Sequence, residues 1–192
     1  MLENILSTIL ENCKVNKGLI KFGQIQINVS VDDLMPTLEF LKDSDTCQFR
    51  QLTDIAGVDF PEREKRFDVI YHFLSFKHNA RVRVKTQISE NESIHSITQL
   101  FPAANWFERE AFDMYGIQFT DHPDLRRILT DYGFEGYPLR KDFPLTGNVE
   151  VRYDQMERKV IYEPVKLQQD YRNFDIQSPW EGTTYIDNKD KK

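Results

Sequence analysis

The clearest signal along the chain is a switch between two hydrophobic periods. Leu2, Ile5, Leu6, Ile9 and Leu10 recur at helical spacing, and Asn16 to Gly18 would stop that helix. From Gln24 to Val29 the period shortens to two. Ile25, Ile27 and Val29 share one face and Gln24, Gln26 and Asn28 the other, as in a half-buried strand. Ser30 and Asp33 make a capping pair for a second helix, whose buried stripe is Leu34, Leu38 and Leu41; Pro36 sits early enough in it to be tolerated. Three more strands are predicted: Gln48 to Asp59, broken by Gly57; a strand with Phe67, Val69, Tyr71 and Phe73 on one face, after the charged turn Pro61 to Arg66; and Arg81 to Gln87, after a turn at His78 and Asn79. In the last, Val82, Val84 and Thr86 face inward and Arg81, Arg83 and Lys85 outward. That basic face is read as a solvated strand face rather than a binding patch. The short connections predict an antiparallel meander.

Further on, Ser96 to Leu100 predicts a short helix before Pro102, and Ala103 to Tyr115 a longer one stopped by Gly116 and followed by a short apolar strand. Regular periodicity then ends. From Thr120 to Gly147, Pro123, Pro138, Pro144, Gly133, Gly136 and Gly147 punctuate the backbone, and His122, Tyr137 and Phe143 are pushed toward extended geometry by the prolines that follow them. Yet Leu125, Ile128, Leu129, Tyr132, Phe134, Tyr137, Leu139, Phe143 and Leu145 supply apolar area that a disordered linker lacks. Long irregular loops of this kind are usually functional, and this one is expected to fold against something. Val149, Val151 and Tyr153 alternate with Glu150, Arg152 and Asp154 in a late strand, which a short one at Val160 to Tyr162 would pair. The expected architecture is α+β: an antiparallel (mixed) sheet with helices on one face over residues 1–120, an irregular loop with short strands over 121–164, and an extended C-terminal arm over 165–192.

Composition narrows the function. The 192 residues are 40% hydrophobic, enough for one sizeable core. A net charge of −6 and a pI of about 5.3 give no reason to expect nucleic acid. Cys13 and Cys47 stand far apart without a C-x-x-C partner, which fits a reducing compartment and no thiolate metal site. No apolar run approaches the ~18 residues of a membrane helix. The N-terminus has acidic Glu3 and Glu11 and no early basic cluster, unlike a signal or transit peptide.

Candidate chemistry centres on the longer helix and the loop. Glu110 and Asp113, with Glu108 nearby, are carboxylates that can serve as acid and base or hold iron, but no Glu-x-x-His spacing supports a di-iron site. Beyond them, Arg109, Arg126, Arg127, Arg140 and Lys141 alternate with Asp124, Asp131, Glu135 and Asp142. An irregular loop leaves many backbone groups without ladder partners, and arginine forks suit tying them to carboxylates and carbonyls. An ion-pair scaffold is therefore favoured over a catalytic site built on Glu110, Asp113 and His122. Nucleotide-loop, nucleophile-elbow and zinc-protease motifs are absent. GFEG at Gly133 to Gly136 resembles a G-x-x-G backbone clamp, but Glu135 would repel phosphate. His72 and His95 have no evident partner, and His122 before Pro123 reads as a hydrogen-bonding loop residue.

One resemblance covers most of the chain. Glu108-Arg109-Glu110, Asp113-Met114, Gly116-Ile117, Phe119 and the run His122 to Leu129, followed by DYGFEGYPLRKDFPLTG, EVRYD and YEPVKLQQDYRNFDIQSPWEG, and preceded by LTDIAGVDFPEREKRFDVIYHFLS, resemble the thirty-kilodalton subunit family of NADH:ubiquinone oxidoreductase, respiratory complex I. The likeness spans roughly Gln51 to Gly182. It implies a non-catalytic peripheral-arm subunit without its own flavin (FMN), iron–sulfur cluster or quinone, packed against the forty-nine-kilodalton subunit and neighbouring iron–sulfur subunits. It also implies a peripheral place on the inner membrane, on the mitochondrial matrix side or the bacterial cytoplasmic side. No catalytic or metal residues are expected. The structural and interface residues are Glu108, Arg109, Glu110, Asp113, Gly116, His122, Pro123, Asp124, Arg126, Arg127, Arg140, Asp142 and Trp180. A related scaffold in a membrane-bound hydrogenase-type complex, and a stand-alone carboxylate hydrolase, are the competing readings.

Overall fold

A computed structural model of the chain describes residues 1–169. Five strands form the main sheet: β1 (Lys17–Lys21), β2 (Gln24–Asn28), β3 (Gln51–Asp59), β4 (Phe67–Ser75) and β5 (Ala80–Ile88), in the order β1-β2-β5-β4-β3. The two-residue period puts the large buried apolar side chains of these strands on one face. In register, Ile25 lies beside Val82, Val82 beside Phe73 and Phe73 beside Leu52, all of them buried. Helices α1 (Leu2–Asn12), α2 (Val31–Asp43) and α3 (Ala104–Tyr115) cover that face. Each adds its own stripe, such as Ile5 and Ile9 of α1 and Leu34, Leu38 and Leu41 of α2. Ser30 caps α2 as expected, its hydroxyl accepting the Asp33 N–H.

The sheet is mixed within an α+β fold. The meander β3-β4-β5 is antiparallel, but β2 pairs with β5 in parallel. This follows from α2, which carries the chain across to the far edge, so that two hairpins return it beside β2. Three local features differ from expectation. The first helix ends ahead of Asn16, and the segment after it, Lys17–Lys21, forms an unexpected edge strand, turned back by Phe22 and Gly23 at φ 52° and 70°. In place of a Ser96–Leu100 helix there is a short strand, β6 (Ser93–His95), paired in parallel with β7 (Gln118–Thr120), and then a single turn. The expected break at Gly57 is also absent. The strand continues through it, and the glycine instead makes room for the Tyr115 ring, which an added Cβ would meet at 2.6 Å.

The chain divides into two compact units, Met1–Leu145 and Thr146–Lys192. The loop after β7 belongs to the first. In the second, β8 (Val149–Asp154) pairs with β9 (Lys159–Pro164), with Val151 opposite Tyr162 and Tyr153 opposite Val160 on one face. Residues 165–169 continue from this hairpin. Trp180 and the rest of the expected arm lie outside the described residues.

Candidate functional site

Helix α3 is the post to which the loop is tied. Its apolar residues Ala104 and Ala111 face the core, and Gly116, in the left-handed region at φ 78°, ends it. Arg109 and Asp113 stand one turn apart on a buried face and grip the same stretch of loop with opposite charges. Asp113 Oδ2 accepts the backbone N–H groups of Ile128, Leu129 and Thr130 at 3.0, 2.7 and 2.9 Å. Its Oδ1 accepts the Thr130 hydroxyl at 2.6 Å and the Arg127 guanidinium at 3.1 Å. Burial pushes the Asp113 carboxyl up, but the bonds from Thr130, Leu129 and Ile128 outweigh it and hold it below the usual range. Arg109 donates from Nε and Nη2 to the carbonyls of Arg126 and Arg127, both at 3.1 Å. Arg127 also donates to the Gly136 carbonyl at 3.0 Å and lies 5.2 Å from the Tyr137 ring centre.

A second tie fastens the following segment. Arg140 donates to the Tyr115 carbonyl at the end of α3, at 2.6 Å, pairs with Glu90, and lies 4.5 Å from the Tyr137 ring centre. A Cβ on Gly116 would meet that ring and the guanidinium at 2.7 Å, so this position needs glycine for space as well as for backbone angle. Asp59, at the end of β3, accepts two bonds from Arg66 at 2.7 and 3.1 Å and the Lys141 N–H at 2.7 Å. Arg66 reaches on to Asp142 at 2.9 Å. Desolvation raises the Asp59 carboxyl, but Arg66 and Lys141 more than offset it and it is lowered.

Glu108 and His122 form a third, deeper contact. Glu108 is wholly buried; it accepts the Ser96 hydroxyl at 2.6 Å and the Ile97 N–H at 2.8 Å. Burial pushes its carboxyl up to about 7, against the two hydrogen bonds. His122 Nδ1 accepts the Asp124 N–H, so Nε2 carries the proton and donates to the Asn105 carbonyl at 3.1 Å. Nε2 also stands 3.8 Å from Glu108.

Among the candidate residues, Glu108, Arg109, Asp113, Gly116, His122, Arg127, Arg140 and Asp142 are thus brought together as loop ties. Glu110 is not: it is exposed, and Arg127 takes Asp113 in its place. Glu110 and Asp113 therefore do not meet on one face: Asp113 faces inward with Arg109. Arg126 also turns to solvent, its side chain pairing with exposed Asp124 at 2.8 Å, and Pro123 is exposed. Sequence reasoning did not assign roles to Ser96, Thr130, Asp59, Arg66 and Glu90. The positions of Asp59 and Arg66 at the two ends of the charged turn were the one available sign of their pairing.

With its polar groups bonded inward, the loop turns large apolar side chains outward. Tyr132 is 98% exposed, Leu145 86%, and Leu129 and, on α3, Trp106 are also open to solvent. Among the described residues, no group of His, Cys, Asp or Glu is arranged to hold a metal, and no helix is long and apolar enough to cross a membrane.

Residues 27–149 match the family model described as respiratory-chain NADH dehydrogenase, 30 Kd subunit. The C subunit of NADH-quinone oxidoreductase from Hyphomonas neptunium is 60% identical over 178 residues, covering 93% of this chain and 88% of that protein. The protein of the same name from Methylobacterium radiotolerans is 58% identical over 173 residues, covering 90% and 80%. A chain in the structure of the membrane-bound sulfane sulfur reductase, an archaeal respiratory membrane complex, aligns with a TM-score of 0.65 at 26% identity, over 74% of this chain and 85% of that one. The chain belongs to the respiratory-chain NADH dehydrogenase 30 kDa subunit family.

Proposed function

We propose that this chain is a non-catalytic scaffold in the peripheral arm of proton-translocating NADH:quinone oxidoreductase, holding the quinone-module subunits together while electrons pass from NADH to quinone through other chains. One observation carries the reading: the inward-facing carboxylates are bonded by the chain's own loop, and the remaining acid of the pair, Glu110, stands alone in solvent, without a base beside it among the described residues. Asp113 receives five donors and Asp59 three, so both serve the loop rather than a substrate. The same ties hold Leu129, Tyr132, Leu139 and Leu145 out toward a neighbour. The partners in this reading are the forty-nine-kilodalton subunit and the adjoining iron–sulfur subunits, with FMN, clusters and quinone held by those and other chains. In this reading the chain lies peripherally at the membrane, bound through its neighbours.

A second reading, a scaffold in another respiratory membrane complex, is favoured by the sulfane sulfur reductase likeness. The much higher identity to the NADH-quinone oxidoreductase proteins outweighs it. The test is affinity purification of the tagged chain from its native membranes. NADH:quinone activity and a homologue of the forty-nine-kilodalton subunit should copurify, while the chain purified alone should show no turnover and no stoichiometric flavin or iron. Copurification with hydrogenase or sulfur-reducing subunits would support the second reading, and turnover by the lone chain would contradict both.

A further inference from the structure

The face of the main sheet away from the helices carries a groove of its own. A cavity of about 260 Å³ crosses β1, β2, β5 and β4 there. Its charged lining is Lys17, Arg83 and Lys85, its neutral donors are the Gln26 and Asn28 amides, and its apolar floor is Leu19 and Ile70. Strand register explains the cluster. Gln26 lies beside Arg83 and Asn28 beside both Lys85 and Lys17, so the outward residues of neighbouring strands fall side by side.

Lys85 is balanced by Asp68, but the charges of Lys17 and Arg83 are not balanced from within. Asp68, the acid beside the groove, is already bonded by Lys85 at 3.1 Å and Gln87 at 2.7 Å, with Arg63 at 3.6 Å. Among the described residues, neither the Lys17 nor the Arg83 side chain has a hydrogen bond or an ion pair. The Nε of Arg83 is buried and unbonded. A buried guanidinium donor without an acceptor is uncommon, and an oxyanion is the group that suits it. Arg83 also faces His72 across the sheet, where, after burial, its charge further disfavours the imidazolium. All this sits on a chain of net charge −6, so the groove is a local reversal of the overall field.

We propose that this groove docks an acidic, extended segment of a neighbouring protein chain, with a carboxylate on the Arg83 fork and an apolar side chain on Leu19 and Ile70. The groove is open along the sheet and has an apolar floor, which a free inorganic anion would leave uncovered. The identity of the docked segment as part of a neighbouring subunit rests on the assembly role proposed above, but the binding chemistry does not. Failure of this groove with normal copurification of the complex would leave that role standing.

The test uses the full chain and a short fluorescent peptide alternating glutamate and leucine, with a lysine–leucine peptide as control. Saturable binding of the acidic peptide is expected, weakening as salt rises. Arg83→Gln, melting like the wild type, should weaken it about tenfold, as the loss of one charge-assisted contact. Exposed Lys17→Gln should weaken it roughly threefold, as a surface charge does, and Lys77→Gln at a distant hairpin tip should leave it unchanged. The proposal is overturned by absence of saturable binding or by equal binding to the Arg83→Gln chain. It is equally overturned if inorganic phosphate displaces the peptide more effectively than chloride at the same ionic strength, which would make the groove a small-anion site.

Discussion

Asp113 and Glu108 stand five residues apart on one helix, both without solvent exposure, and their carboxyls shift in opposite directions. The difference is in the donors each receives. Five bonds converge on Asp113, three of them from consecutive backbone N–H groups, so its charge is favoured in spite of burial. Glu108 receives two, and burial wins. Asp113→Asn keeps the shape but loses the charge that organises those donors. We expect it to lower the unfolding free energy of the full chain by roughly 3 kcal/mol, read from urea unfolding. For Glu108, the folded carboxyl titrates at about 7 and the unfolded one near 4.5. The folded state therefore binds the extra proton, and stability rises as pH falls from about 7 to 4.5. This effect is worth roughly 3 kcal/mol. Asp113 acts in the opposite sense, since its folded carboxyl lies below its unfolded value and its stabilisation is lost as pH drops below about 4. Unfolding measured from pH 8 to 5 should show the rise for the wild type and a much flatter profile for Glu108→Gln. Equal profiles would mean that Glu108 ionises without penalty.

At the scale of elements, α3 and the loop form one unit joined at Gly116. Gly116→Ala imposes a left-handed conformation on a residue with a Cβ and drives that atom into Tyr137 and Arg140. It should cost about 2 kcal/mol or more and lower the melting temperature by several degrees; an unchanged melting curve would mean that the loop can shift aside at no cost. Much of this arrangement was legible in the sequence. Alternation at Ile25, Ile27 and Val29 and from Phe67 to Phe73 identified the buried face, the Ser30 cap placed α2, and the glycine placed the end of α3. The parallel pairing of β2 with β5 was not legible, because side-chain alternation reads faces and says nothing of the direction of the next strand. Within the site, the residue types announced an ion-pair scaffold but not its wiring. Glu110 and Asp113 have the same chemistry and close spacing; only the tertiary packing of α3 sends one to solvent and the other to the loop. Ser96 and Thr130 carry no sequence mark of their own, since a hydroxyl becomes a partner only when the fold brings a buried carboxylate to it.

At the scale of the whole molecule, apolar side chains stand exposed in both units. In the second unit, Val149, Val151, Tyr153, Val160 and Tyr162 of the hairpin are each more than half exposed. A two-stranded hairpin is marginal by itself, so a covered apolar face fits its role in an assembly. The internally bonded loop fits the same role, since it fixes the surface that a neighbour meets without adding a reactive group. Arg127 tests this most directly, because it joins Asp113, Thr130, Gly136 and the Tyr137 ring in one brace. Arg127→Ala leaves the buried Asp113 charge without its cation, a loss of roughly 3 kcal/mol, and lets the outward residues drift from their places. The measurement is the amount of assembled complex and its NADH:quinone rate in the same membranes. The scaffold account predicts less assembled complex with a normal rate for each complex that forms; a normal amount of complex with a collapsed rate would contradict it and put Arg127 in the path of catalysis.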